Sequence, residues 1–466
     1  MSRTADLVIV GAGPAGMAAA VTARRHQLDV LVVDEQAAPG GQIWRDVEAV
    51  SCKPQAAFLG NAYHEGLAAV GRFRASGATY EPNTKVWQVE AGPRAFLTRD
   101  GAASSVKARS MLLATGAQER PVPFPGWTLP GVMTVGAAQI MLKTSGQVPV
   151  EPVWIAANGP LALLYAAQLL KMGGRIAGFL DTTPAIDVSA TIPKLAAAAF
   201  AAPGDLLKGL GWIVNLRRHV PYIRHVARIE AFGTDRLERF RYETASGVAA
   251  TVDAHLLLVH EGVVPSIHPT LSLGCVHNWL GGQDCFAPAL DAWGETSEAG
   301  IFVAGDGGGI GGAAVASLRG EIAGLRIAAR AGRISAVEAQ AAAQPIRSRL
   351  KRALTARSFL DAFYRPRASI FVPADETIAC RCEEVSVASI RAQAAIGRPG
   401  PNQIKASTRA GMGPCQGRQC SYTIASVLAD AEGRQVPDIG LYRVRPPLKP
   451  LTLDELASLD DVGCPT

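Results

Sequence analysis

The sequence predicts an α/β chain: a Rossmann-like domain, a degenerate second copy of the same fold, and a small C-terminal domain organised around cysteines. Three observations carry this. Leu7-Val8-Ile9-Val10 runs directly into Gly11-Ala12-Gly13-Pro14-Ala15-Gly16, so an apolar strand feeds a glycine turn. Val153-Trp154-Ile155-Ala156 followed by Ala157-Asn158-Gly159-Pro160 repeats that order in weaker form. Cys380-Arg381-Cys382 and the stretch from Cys415 to Cys420 give C-x-C, thirty-two residues, then C-x4-C, which places four of the eight cysteines in one short segment.

At 466 residues the chain exceeds what one ordinary hydrophobic core supports, so two or three domains are expected. The 46 basic and 40 acidic residues give +6, modest for this length and spread along the chain, so nucleic-acid binding is not read from it. The apolar run at 6–10 has only a strand's length, and none approaches the ~20 residues of a membrane span. The glycine turn begins where the apolar core of a cleavable signal would continue, and the expectation is a soluble, cytoplasmic chain.

Residues 7–10 read as a buried parallel strand, and the glycine turn opens an alanine-rich helix over 17–25. This is the dinucleotide fingerprint in its required context. Gly11 allows the tight turn, Gly13 lets backbone approach a pyrophosphate, and Gly16 brings helix onto strand; with Pro14 and Ala15 they leave the helix N-terminus facing the phosphates. A second strand over 29–34 ends in Glu35, about 20 residues beyond the glycines, where a carboxylate accepts ribose hydroxyls. Asp34 is the alternative, since side chains alternate along a strand and only one of the pair can face the ribose.

Three later stretches point to FAD. Pro39-Gly40-Gly41-Gln42-Ile43-Trp44-Arg45 resembles the loop by which two-dinucleotide flavoproteins approach the isoalloxazine, with Gln42, Trp44 and Arg45 as its binding residues. Met111-Leu112-Leu113-Ala114-Thr115-Gly116 is a strand ending in the small residues, Thr115 and Gly116, with which that family closes over the adenosine half. Ile301-Phe302-Val303-Ala304-Gly305-Asp306 ends another strand, where Asp306 can accept a ribityl hydroxyl; Gly307 to Gly312 then lead into a helix from Ala313 whose N-terminus can face the flavin pyrimidine carbonyl.

In the second copy, a helix over 161–172 and a strand over 175–180 follow the turn. Ala157 and Ala162 replace the first and third glycines, and a side chain at the first crowds the turn that should admit a pyrophosphate. The reading is a retained fold with a lost or weakened NAD(P) site. No C-x-x-C pair occurs here, which excludes disulfide reductases of this architecture, and Cys52, Cys275, Cys285 and Cys464 stand isolated. Residues 191–218 form helical stretches around Pro203-Gly204, and 256–264 a strand leading into Pro265. His260 and Glu261 are read as polar residues where that strand leaves the core, rather than as an acid–base pair. Residues 319–367 are helical in pattern with Pro345 as a break, Pro366 and Pro373 mark a linker, and a proline-rich tail follows a helix ending near Glu432. Such a tail normally lies along something.

Four thiolates are the full ligand set of a 2Fe-2S cluster, and soft sulfur selects iron-sulfur or zinc over hard cations. A four-cysteine zinc site is the alternative, though it is usually built from C-x2-C pairs; a disulfide pair fits an intracellular chain poorly. The glycines of Thr408-Arg409-Ala410-Gly411-Met412-Gly413-Pro414-Cys415 let backbone N–H groups approach cluster sulfurs. "CRCEEV", Lys405 and "TRAGMGPCQGRQC" resemble the bacterioferritin-associated ferredoxin type of cluster domain, as appended to flavoprotein subunits of opine oxidases, hydroxyproline dehydrogenases and hydrogen cyanide synthase. That resemblance implies Cys380, Cys382, Cys415 and Cys420 as the iron ligands. The 31 residues from Gly116 to Gly146, "GAQERPVPFPGWTLPGVMTVGAAQIMLKTSG", look like the patterned connection of the same subunits.

The expected class is therefore a two-dinucleotide-binding-domain flavoprotein with a small C-terminal iron-sulfur domain. Its expected parts are an FAD-binding domain over 1–120 with a return segment over 286–335, an NAD(P)-like domain over 121–285, a helical linker over 336–373, a 2Fe-2S domain over 374–435 and a tail over 436–466. FAD takes two electrons and a cluster carries one, so both in one chain imply an electron converter. No residue stands in a motif suited to amine oxidation. The resemblance supplies a partner, a β subunit like D-amino-acid oxidase, and allows FMN at a subunit interface and a small ferredoxin-like subunit. It implies an electron-transferring α subunit of a heteromeric amino-acid dehydrogenase, with D-hydroxyproline or a related secondary amine as substrate and a quinone-type acceptor. Opine oxidase and hydrogen cyanide synthase subunits are the near alternatives; an NAD(P)H-dependent ferredoxin-type reductase is the alternative of another class.

Overall fold

The computed structural model describes residues 3–185, 188–397 and 400–459, and Cys464 lies outside them. The chain divides into two compact units, each made of non-contiguous pieces. The first comprises the chain up to Gln118, Val264–Leu354 and the chain from Val444; the second comprises Glu119–Val263 and Thr355–Arg443.

In the first unit the strand Arg3–Val10 lies between Val30–Val33 and Ala102–Leu113, with Thr79–Glu81 outside the former, all in parallel register. Ile301–Val303 pairs in parallel with the end of Ala102–Leu113, and an antiparallel pair, Arg94–Arg99 and Lys85–Glu90, extends the sheet. Leu7, Val8 and Ile9 are wholly buried, as a parallel strand covered on both faces requires. The helix Pro14–Arg25 packs along Ala313–Arg330 through small residues: a Cβ on Gly320 would stand 2.1 Å from the Ala15 carbonyl oxygen, so only glycine permits that approach. The tail returns here. Leu448 is buried and donates its N–H to Trp87 O at 2.6 Å, and Ala103 N–H reaches Ser458 Oγ at 2.7 Å.

The second unit holds a five-stranded parallel sheet in the order Tyr222–Ile223, Ile176–Asp181, Val153–Ala157, Leu257–His260, Val132–Thr134. A three-stranded antiparallel meander, Val226–Phe232, Arg239–Thr244 and Ala249–Asp253, follows the first of these in the chain. The helical stretches expected over 191–218 are two helices, Val188–Ala201 and Pro203–His219. The cysteine-bearing part is a small core of its own: Ile378–Cys380 pairs with Val385–Ser386, and the helices Val387–Ile396, Pro401–Thr408 and Ser421–Glu432 close over Ile390, Ile404, Ile424 and Leu428.

Two expectations are corrected. Pro345 does not break its helix: Ala336–Phe363 runs through it without interruption, anchored by fully buried Ala339 and Ala343. One lost backbone donor is tolerated there because alanine-rich flanks favour the helix strongly. The stretch between Pro366 and Pro373 is not a loose joint either. Arg367 and Ile370 are 4% and 3% exposed, and Ser369 Oγ donates to Ala227 O at 2.7 Å.

Candidate cofactor sites

The glycine turn of the first unit is held from below. Gly11 has φ +107, and a Cβ on it would meet Ala114 O at 2.5 Å; one on Gly16 would meet Gly11 O at 1.9 Å. Gly13 is different. Its φ is −77, and the nearest atom to an added Cβ is 3.7 Å away, so nothing within the protein demands glycine there. The space above Gly13 is kept for something outside the chain, which fits a pyrophosphate against backbone. The helices Pro14–Arg25 and Ala313–Arg330 both begin at glycines, Gly13 and Gly312, with no side-chain cap, leaving their first N–H groups to an anionic ligand.

Pro14 sits at the first turn of its helix, and Ala15 is packed between Gly305 and Gly320, which ties the glycine turn to the loop carrying Asp306. Asp306 Oδ1 accepts from Gly311 N at 2.8 Å and Gly312 N at 2.9 Å, and Arg319 Nη1 donates to Gly309 O at 2.7 Å, so that loop is fixed from two sides. Thr115 Oγ1 donates to Ser266 O at 2.8 Å, beside Gly116 at φ +65. The loop over 39–45 lies on the glycine turn through Gly40 N donating to Ala12 O at 2.9 Å. Within it Gln42 is exposed, Trp44 is sunk into the core with its indole N–H on Ala62 O at 2.9 Å, and Arg45 has a buried Nε without a partner.

At the end of Val30–Val33 the two acids part. Asp34 turns inward and accepts from Ala12 N at 2.5 Å and Gln36 N at 2.7 Å; burial pushes its carboxyl up, opposed by those two bonds and by the charges of Arg45 and Lys449. Glu35 keeps its side chain 45% exposed and pairs with Lys449 from the tail.

The second turn is committed differently. Asn158 is 2% exposed and donates Nδ2 to Glu261 Oε2 at 3.1 Å and Arg365 O at 2.9 Å. Glu261, wholly buried, faces Arg367 Nε at 3.2 Å. The chain over 365–367 therefore fills the carboxyl edge of this sheet, where a doubly wound fold would take its ligand. Beside it His260 Nδ1 lies 2.7 Å from Glu119 Oε1, whose carboxylate also accepts from Gly136 N. Burial raises the Glu119 carboxyl, but His260 and its other donors outweigh that and hold it below the usual range.

All four motif cysteines share one end of the small core. Cys380 and Cys420 are buried and within hydrogen-bonding reach of each other; Cys382 and Cys415, nearer the surface, form a second such pair. The bond from Cys420 pulls the Cys380 thiol down to about 6, and Gly411 N–H reaches Cys380 Sγ at 3.4 Å. Gly413 lets backbone pass Cys382, where a Cβ would stand 2.3 Å from that of Cys382. Four thiols are the donor set a 2Fe-2S group would take, but among the described residues no three His, Cys, Asp or Glu are gathered around a single metal position.

The family model for pyridine nucleotide-disulphide oxidoreductases matches residues 5–320. The chain belongs to that family. As an FAD-dependent oxidoreductase of this kind it carries a further match, to the sarcosine oxidase A3 domain, over 378–459. The A-subunit of opine oxidase from Agrobacterium tumefaciens (strain Ach5) is 40% identical over 467 residues, covering 97% of this chain and 92% of that protein. The HcnB component of hydrogen cyanide synthase from Pseudomonas protegens is 32% identical over 461 residues, covering 95% and 96%. Among solved structures, L-proline dehydrogenase from P. horikoshii superposes with a TM-score of 0.71 at 20% identity, covering 98% of this chain and 80% of that one, a likeness of fold.

Within this oxidoreductase frame, sequence reasoning missed Arg319, Arg367, Lys449 and Tyr442. None stands in a motif, and Lys449 lies 414 positions from its partner Glu35, so no local spacing announces it. No described helix is long and apolar enough to cross a membrane.

Proposed function

We propose that this chain is the electron-transferring α subunit of a heteromeric dehydrogenase that oxidises an amino acid at its C–N bond. The substrate proposed is a proline-like secondary amine such as D-hydroxyproline, with electrons passing by way of the cysteine domain and the FAD domain to a quinone-type acceptor. The observation that carries this is the coexistence in one chain of a glycine turn with room for a ligand at Gly13 and of four cysteines at one end of a small core, with no amine-handling motif at either among the described residues. FAD supplies two-electron acceptance with single-electron release, and a 2Fe-2S cluster single-electron carriage, when bound.

Gly11, Gly13, Pro14, Ala15 and Gly16 would hold the pyrophosphate, Glu35 the ribose, Thr115 and Gly116 the adenosine side, and Gly305, Asp306, Gly312 and Ala313 the flavin side, with Gln42, Trp44 and Arg45 in the covering loop. Cys380, Cys382, Cys415 and Cys420 would hold the cluster. The filled edge at Asn158, Glu261 and Arg367 argues against NAD(P)H as a ligand, and hence against a self-sufficient ferredoxin-type reductase. The helical pair over 188–219 leaves Phe200 94% and Leu207 68% exposed, an apolar surface of the kind that marks a protein interface and suits a D-amino-acid-oxidase-like partner. FMN at the subunit interface and a small ferredoxin-like subunit fit the same scheme. An opine is the second substrate reading, favoured by the 40% identity to the A-subunit of opine oxidase.

The test is reconstitution. The isolated chain should bind flavin and show no turnover with hydroxyproline or opines; with its β partner, reduction of an artificial acceptor should appear. Substrate-driven turnover by the chain alone, or bleaching of its flavin by NADH, overturns the reading.

A further inference from the structure

The segment after the helix Ser421–Glu432 brings one aromatic side chain back onto the thiol pocket. Tyr442 is 4% exposed, and its ring is wedged against two glycines of the cysteine motif: a Cβ on either Gly411 or Gly417 would come within 2.7 Å of it. The Lys405 ammonium lies 5.6 Å from the centroid of the same ring. The ring is thus clamped and cannot swing its hydroxyl to water. That hydroxyl is buried without a hydrogen-bond partner, in the same buried cluster as Cys380 and Cys420. A buried O–H with no acceptor requires an explanation, and an electron-rich thiolate on iron is a better acceptor than the neutral thiol.

We infer that Tyr442 is a positioning residue for the iron-sulfur group: its hydroxyl donates to the Cys420 sulfur and raises the reduction potential of that group. This rests on the 2Fe-2S reading of the four cysteines. A donor at a ligand sulfur stabilises the more negative, reduced state, because added electron density on sulfur strengthens the bond. Reduction adds one electron, and Tyr442 keeps its proton throughout, so no bond is made or broken. Gly411 N–H at Cys380 plays the same part from backbone and cannot be removed by substitution, which leaves Tyr442 as the side-chain control on the buried thiol pair.

The experiment uses the full chain purified anaerobically, with iron, acid-labile sulfide and flavin measured, followed by redox titration read by electron paramagnetic resonance. Tyr442→Phe keeps the wedge and deletes the donor. It should retain iron, sulfide and flavin at wild-type ratios and titrate at a more negative midpoint potential, with the flavin potential unmoved. An unchanged or more positive midpoint overturns the inference and leaves the cluster reading intact. Wild-type chain without iron and sulfide overturns both. If Tyr442→Phe loses iron, 3-fluorotyrosine placed at 442 decides: it has the same shape and a more acidic hydroxyl, so the midpoint should move positive. No shift, or a negative one, would show that the residue only fills space.

Discussion

The two strand–turn–helix frames of this chain reach opposite ends. In the first, an added Cβ on Gly13 would meet nothing nearer than the Gly41 Cα at 3.7 Å, and the helix start is uncapped. In the second, Asn158 occupies the turn, and its amide bonds to Glu261 and to Arg365 O knit the carboxyl edge of the sheet to a later piece of chain. Both sheets fold, because parallel pairing needs only buried apolar strands, and residues such as Val153 and Ile155 supply these as well as Leu7 and Ile9 do. What separates a nucleotide site from a nucleotide fold is thus an edge left free, more than the count of glycines.

The largest expected effect breaks the first half of that contrast. Gly13→Val should give folded protein with almost no flavin, measured by absorbance per chain, since the branched side chain enters the space reserved for the ligand; normal flavin content would show that the turn is not the pyrophosphate site. Ala157→Gly should do nothing comparable in the second turn: restoring the glycine should not create NADH binding by titration calorimetry, because the chain over 365–367 still fills the edge. Arg367→Ala should destabilise the second unit by about 3–5 kcal/mol in denaturant unfolding, since it strands Glu261 as a buried unpaired charge. Asp306→Ala should weaken flavin binding by about 1–3 kcal/mol through loss of its bonds to Gly311 and Gly312 and to a partly buried hydroxyl.

The smallest effect is a pH dependence. The Glu119 carboxyl is held below its ordinary value in the folded state, so its contribution is present above the unfolded pKa and is lost as pH falls through the folded one. The melting temperature should decline on acidification below about pH 4.5, the ordinary carboxyl value, and Glu119→Gln should flatten that part of the profile. A slope unchanged in the variant would locate the acid sensitivity elsewhere.

Much of this was legible in the residues. Glycine spacing after an apolar strand places the first turn, and the alternation argument at the end of the second strand separates Asp34, turned inward, from Glu35, left outside. The cysteine spacing points to the small C-terminal core that carries Cys380 and Cys420. What escaped were partnerships across long separations: Arg367 with Glu261 and Lys449 with Glu35. Each joins residues more than a hundred positions apart with no shared periodicity, so only the folded chain shows the pair. Prolines alone do not settle what the chain does around them: Pro345 lies within a continuous helix, and between Pro366 and Pro373 the residues Arg367 and Ile370 are buried.

The return of the tail to the first unit sets an order of assembly. Leu448 shares a buried cluster with Val89 and Leu97, yet it is synthesised after the whole cysteine domain. At ribosomal rates of about 5–20 residues per second, several tens of seconds separate Gln118 from Val444. During that interval the place of Leu448 beside Val89 and Leu97 stays uncovered. A chain cut before Arg443 would leave that place without its cover.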